Sequence, residues 1–235
     1  MNIPVIAKSI LLTTAIILST SLSLSAQQST RAFNFSISGG RSSPTGPADF
    51  TRYWGSGLNY EFSVAYEPSR LFHLGISARM DNFPLNEMKI QQEATELGVT
   101  TLYDHRDISI FSMSIFARTP IIESKNRLKP YLFIQISESW PNTGFVYASN
   151  SDSAWVFARP MQKDRLNSFG FGLGSDYRIS EKFSLSLEFG YRVIFTYYKI
   201  SRRLDQPDGP IINEKGKNSN DIFVSFGLRY SITVY

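Results

Sequence analysis

Apolar residues recur at every second position in eight stretches of this chain, the period of a β-strand whose two faces meet different surroundings. In residues 31–39, Phe33, Phe35 and Ile37 oppose Asn34, Ser36 and Ser38. In 56–66, Leu58, Tyr60, Phe62, Val64 and Tyr66 oppose Asn59, Glu61, Ser63 and Ala65, and in 71–80 Phe72, Leu74, Ile76, Ala78 and Met80 oppose His73, Gly75, Ser77 and Arg79. The fourth stretch, 108–118, sets Phe111, Met113, Ile115 and Ala117 against Ser112, Ser114, Phe116 and Arg118. Ile108 and Ile110 fall in its other phase, and a bulge near Ile110 and Phe111 is the expected cause. The fifth, 131–138, opposes Leu132, Ile134 and Ile136 to Tyr131, Phe133, Gln135 and Ser137. The last three, 169–177, 183–196 and 222–234, alternate large apolar residues with Gly, Ser, Asp, Glu and Arg.

Alternation alone fits either a soluble barrel with its apolar face inward or a membrane barrel with that face outward. Volume favours the second. The polar face is crowded with Gly and Ser, including Gly170, Gly172 and Gly174, which suits a narrow lumen, while Phe, Tyr, Leu and Ile fill the other face. Several stretches also reach the ~9–11 residues that a tilted strand needs to cross a bilayer. A periplasmic or secreted soluble barrel is the competing reading.

Connection lengths set the count. Residues 67–70 and 179–182 are turns and 119–130 is a somewhat longer link, whereas 40–55, 81–107, 139–165 and 199–220 are long, polar and rich in Asn, Asp, Gly and Pro. Four long loops on one side with both termini on the other require eight strands. The expected fold is an all-β, eight-stranded antiparallel up-and-down transmembrane β-barrel, in one domain over 27–235, with both mature termini periplasmic.

Residues 1–26 read as a secretory signal peptide: Lys8 precedes the apolar run 9–18, and small residues lead to Ala26. The run is shorter than the ~20 residues of a spanning helix, the alternative for this segment. Its removal lowers Lys plus Arg from 24 to 23 against 20 Asp plus Glu, so the formal charge falls from +4 to +3. That excess is too weak and too scattered to predict a nucleic-acid partner. With no cysteine, neither disulfides nor thiolate chemistry is available. No phosphate loop, His-Glu-x-x-His helix or calcium loop is present, and neither a cofactor nor a metal is expected.

Aromatic residues gather where strands should leave the hydrocarbon: Tyr53, Trp54, Trp140, Tyr197 and Tyr198 at the outer rim, and Tyr66, Phe72, Tyr131, Tyr177 and Phe183 at the inner one. The chain stops on Ser231, Ile232, Thr233, Val234 and Tyr235, an amphipathic strand closed by an aromatic residue. In these features it resembles the small eight-stranded bacterial outer-membrane β-barrel families over about residues 31–235. The resemblance implies residence in the bacterial outer membrane, contact with its lipid and recognition of the last strand by the barrel assembly machinery. Tyr235 departs from the pattern, since it shares the phase of Thr233 and Arg229 and not that of Tyr230 and Ile232. These families include inert anchors, adhesins, small-solute proteins and a few lipid-modifying enzymes, so fold and location follow but a function does not.

Candidate chemistry lies in three places. Glu61, Arg79, Arg118, Asp176, Arg178, Glu188, Arg192 and Arg229 are expected inside the barrel, paired into a polar plug, because a buried charge must be paired or hydrated. The two histidines are candidate catalytic bases: His73 near Glu61 and Ser63 on the neighbouring strand, and His105 within Asp104, His105, Arg106 and Asp107. The third long loop is apolar for a solvated segment, and Trp140, Phe145, Tyr147, Trp155, Phe157 and Arg159 are its candidate contacts for a partner protein or glycan. The leading expectation is a structural or interaction barrel working through its external loops, within a larger membrane complex or alone. A lipid-modifying enzyme and a small-solute channel are the alternatives.

Overall fold

The computed structural model describes residues 31–69, 71–96, 101–102, 107–121, 127–142, 146–149, 154–158, 165–196 and 218–234. Eight strands close on themselves: β1 (Arg31–Gly46), β2 (Gly57–Ser69), β3 (Phe72–Phe83), β5 (Ile108–Pro120), β6 (Leu128–Asn142), β9 (Leu166–Arg178), β10 (Phe183–Ile194) and β11 (Ser219–Val234). Each pairs antiparallel with its sequence neighbour in the barrel, and β1 pairs with β11 to complete the ring. Closure leaves no open sheet edge, which a hydrocarbon solvent requires.

Exposure is inverted relative to a water-soluble protein. Ile37, Phe62, Ile76, Ile115, Ile136 and Phe226 stand exposed on the outside, while Ser, Asn, Asp, Arg and Glu are buried within. Such an outer surface is solvated by lipid and not by water. Among the described residues no helix is long and apolar enough to cross a membrane, so the strands do the crossing.

The strands outrun their expected ends on the side of the long connections, hereafter the loop end. β1 continues to Gly46, β3 to Phe83 and β6 to Asn142, because their neighbours continue to offer backbone partners there: Ser42 faces Phe223, Asn82 faces Ser109 and Asn142 faces Ser109. The opposite, turn end carries the short connections and both ends of the closing pair, Arg31 beside Val234. Beyond the barrel lie α1 (Ala48–Tyr53), α2 (Glu87–Glu96) and a small antiparallel sheet of β4 (Thr101–Leu102), β7 (Val146–Ser149) and β8 (Ala154–Ala158), in the order β4, β7, β8.

Two expectations need correction. No bulge interrupts β5 at Ile110; its register against β3 and β6 is unbroken, and Ile108 and Ile110 simply point inward. They do so because α1 folds into the mouth and supplies apolar partners, forming a core of Phe50, Tyr53, Trp54, Phe83, Ile90, Ile108, Ile110, Leu166 and Ile194. Tyr53 and Trp54 therefore belong to this inner core and not to an outer aromatic belt. Tyr131 likewise leaves the inner belt: it is 4% exposed inside the barrel. Phe72, Tyr66, Tyr177 and Phe183 do occupy the turn-end rim, whereas Tyr197, Tyr198 and Tyr235 lie outside the described residues, as do the expected signal segment and its cleavage point.

Inward glycines pair across strands with inward aromatics. Tyr131 lies opposite Gly174, Phe133 opposite Gly172, Phe116 opposite Gly75 and Phe223 opposite Gly190. A Cβ on any of these glycines would overlap the ring beside it. The small residues thus make room for rings in a lumen just wide enough for side chains.

Candidate functional site

Strand alternation aims every second residue of all eight strands at one axis, so chemistry in this molecule gathers in the lumen. It is arranged in layers. The upper one, towards the loop end, is built on Asp81. Arg79 donates from Nε to both oxygens of Asp81 at 3.1 Å, and from Nη2 to Oδ1 at 3.0 Å. Arg192 reaches across from β10, donating from Nη1 to Asp81 Oδ2 at 2.8 Å and from Nε to Asp221 Oδ2 at 2.9 Å. Ser42 donates to Asp81 Oδ1 at 2.6 Å while accepting from Arg79 Nη2 and Asn59 Nδ2, each at 3.0 Å. Ser225 in turn donates to Asn59 Oδ1 at 2.9 Å. Two guanidiniums thus meet two carboxylates with β1, β2, β3, β10 and β11 all contributing. The Arg79 guanidinium also lies 3.9 Å from the centre of the Phe223 ring, a cation–π contact.

The lower layer repeats the pattern with other residues. Arg118 Nη2 is 2.8 Å from Glu188 Oε1, to which Tyr131 donates its hydroxyl at 2.7 Å, and Arg229 pairs with Asp176. Glu61 sits between the layers, its Oε2 3.6 Å from Arg79 Nη1. Buried charges in such settings hold only when paired, and each of these faces an opposite charge. Serine hydroxyls link neighbouring strands between them: Ser36 with Ser63 at 2.5 Å, and Ser112 with Ser139 and Ser114 with Ser137 at 2.8 Å.

Of the expected interior residues, Glu61, Arg79, Arg118, Asp176, Glu188, Arg192 and Arg229 line the lumen, and the two layers engage them all. Arg178 does not join them. It has the inward phase, but β9 ends on it and it is exposed at the turn end. The sequence reading missed Asp81 and Asp221, both fully buried, because it ended the third stretch at Met80 and began the last at Ile222. The signal was present: Asp81 shares the phase of Ser77 and Arg79, and Asp221 that of Phe223 and Ser225.

His73 gains no triad among the described residues. His73 Nε2 lies 3.6 Å from Glu67 Oε1 near the turn end. Its expected partners are engaged elsewhere: Glu61 is directly opposite Arg79 in the β2–β3 register, and the Ser63 hydroxyl is bonded to Ser36. His105 lies outside the described residues. Among the described residues no three His, Asp or Glu side chains come together as a metal site.

Of the loop candidates, Trp140 is part of the barrel wall, on β6, with its ring stacked on Phe111 at 5.8 Å. Tyr147 is on β7, and Trp155 and Phe157 are on β8, where Trp155 pairs with Ala148 in the small external sheet. Phe145 and Arg159 lie outside the described residues.

The comparisons agree with this architecture. The model of the outer membrane protein beta-barrel domain family matches residues 14–230. Among solved structures, the outer membrane protein OprG of Pseudomonas aeruginosa is similar at 13% identity and a TM-score of 0.52, over 87% of this chain and 98% of that one. A major outer membrane protein of Thermus thermophilus is similar at 9% identity and a TM-score of 0.51, over 85% and 99%. At these identities the likeness is one of fold. No curated protein matches the chain.

Proposed function

Because the chain belongs to the outer membrane protein beta-barrel domain family, a family of the bacterial outer membrane, we propose that it serves there as a closed structural or interaction barrel that meets partners through its loop end. The carrying observation is the filled lumen. An apolar core seated by α1 occupies the mouth, and two charged layers cross the barrel beneath it. A barrel filled in this way offers solutes no continuous aqueous route, which disfavours the small-solute channel. The engagement of Ser63 with Ser36 and of Glu61 with Arg79, which leaves His73 without the partners expected for it, disfavours the lipid-modifying enzyme.

What remains for exchange with the surroundings is the loop end, with both mature termini in the periplasm at the turn end. The external sheet carries Trp155 and Phe157 on β8 beside Tyr147 on β7, an aromatic-rich segment of the kind that anchors protein or glycan partners. Outer-membrane lipid contacts the apolar belt, and the barrel assembly machinery reads β11 during insertion. The test is partner capture from gently extracted outer membranes. Trp155→Ala with Phe157→Ala should abolish capture while the barrel keeps its heat-modifiable migration; undiminished capture contradicts the interaction role.

A further inference from the structure

Charge is nearly absent from the outer wall of the barrel. Among the described residues between the strand tips, two charged side chains have the outward phase, Glu138 on β6 and Arg41 on β1. Glu138 is answered by its own chain, because Arg165, just before β9, donates from Nη2 to Glu138 Oε2 at 2.7 Å. Arg41 is exposed, and its side chain has no ion pair or hydrogen bond among the described residues. A cation on a lipid-facing wall is costly unless something pairs with it.

The position of Arg41 on the wall limits what that partner is. On either side lie Leu58 of β2 and Val224 of β11, 56% and 46% exposed. One outward step towards the loop end the wall turns polar: the Ser43 and Ser56 hydroxyls share a hydrogen bond at 2.6 Å, and Thr45 beyond them is exposed. Arg41 therefore stands where the apolar belt ends, the depth to which a long cationic side chain reaches to meet headgroups. One outward step towards the turn end is Gly39, which faces Phe226 on β11 and Tyr60 on β2, both more than half exposed. The strand is bare there. A Cβ on Gly39 would have Tyr60 Cδ1 as its nearest neighbour, at 3.5 Å.

From this arrangement we infer that the loop-end boundary of β1, β2 and β11 is a binding site for a membrane lipid with a phosphate headgroup. Arg41 takes the phosphate, which a guanidinium matches with two parallel N–H donors. The Ser43 and Ser56 hydroxyls lie beside it, and one acyl chain runs over Gly39 between Tyr60 and Phe226. The site goes beyond general contact of lipid with the belt, since it selects a headgroup at one place on the wall. It rests on the lipid-facing exterior and not on any partner at the loops.

The probe is phosphatidic acid, titrated into the detergent-solubilised, heat-modifiable barrel, with occupancy read by native mass spectrometry. Diacylglycerol with the same acyl chains lacks the phosphate, and inorganic phosphate lacks the chains. The native barrel is expected to hold one phosphatidic acid in preference to diacylglycerol, and inorganic phosphate is not expected to displace it. In Arg41→Gln the lipid concentration at half occupancy should rise roughly fivefold, the effect of one cation near the membrane surface. Gly39→Leu, which has room beside Tyr60 and covers the bare strand, should weaken binding as well, while Arg178→Gln at the turn end should not. Equal occupancy of Arg41→Gln and the native barrel overturns the site, as does displacement by inorganic phosphate. An equal loss in Arg178→Gln also overturns it, because the attraction is then general to cations. Unchanged binding in Gly39→Leu overturns the seat of the acyl chain. Heat-modifiable migration of every variant shows that the barrel itself still stands.

Discussion

Asp81 is the most heavily shared side chain of the lumen, bonded to Ser42, Arg79 and Arg192. Asp81→Asn keeps the shape but leaves two buried guanidiniums short of one anion. Removing one partner of a buried pair destabilises by about 3–5 kcal/mol, and urea unfolding from lipid vesicles should register a loss of that order. Asp81→Asn combined with Arg192→Gln should lose less than the sum of the two single losses, because the two changes share one contact. A second prediction concerns volume. In Gly174→Ala the new methyl meets the Tyr131 ring, whose hydroxyl is committed to Glu188. Overpacking of this kind costs about 1–3 kcal/mol, and Tyr131→Ala in the same chain should shrink the difference between Gly and Ala at 174. The glycines and aromatics were each legible as inward residues. Their pairing was not, since it depends on a cross-strand register that one sequence does not state.

At the scale of elements, α1 shows why alternation alone misled. Ile108 and Ile110 looked like a slipped phase because the lumen was expected to be polar throughout. The lumen changes character at its mouth, where a six-residue helix brings Phe50 edge-on to Phe83, their ring centres 5.1 Å apart. Backbone bonds fix the approach: Gly55 donates to the Pro84 carbonyl at 2.8 Å and Asn86 to the Tyr53 carbonyl at 2.7 Å. Helix formers are few in Ala48–Tyr53, so tertiary packing and not intrinsic propensity holds this helix. Phe50→Ala should remove about 3–5 kcal/mol of that packing. The expected outcome is local: amides of 50–55 exchange faster, while those of β2, β3 and β5 keep their protection. Uniform loss of protection across the barrel strands would mean that the cap also supports the wall.

For the whole molecule, eight alternating stretches and four long connections were enough to specify a closed antiparallel barrel with an apolar exterior, because period and loop length are local properties of the chain. The interior was only half legible. Phase predicts which residues point inward, and it found seven of the charges that line the lumen, but it cannot say which charges meet or that a loop folds back to cap them. The central claim is that these contacts close the barrel to solutes. Single-channel recording of the purified, heat-modifiable protein in a planar bilayer tests it most directly. The account predicts no steady conductance above the bare bilayer; a reproducible open level on the order of a nanosiemens, as a water-filled pore of the porin kind would give, contradicts it.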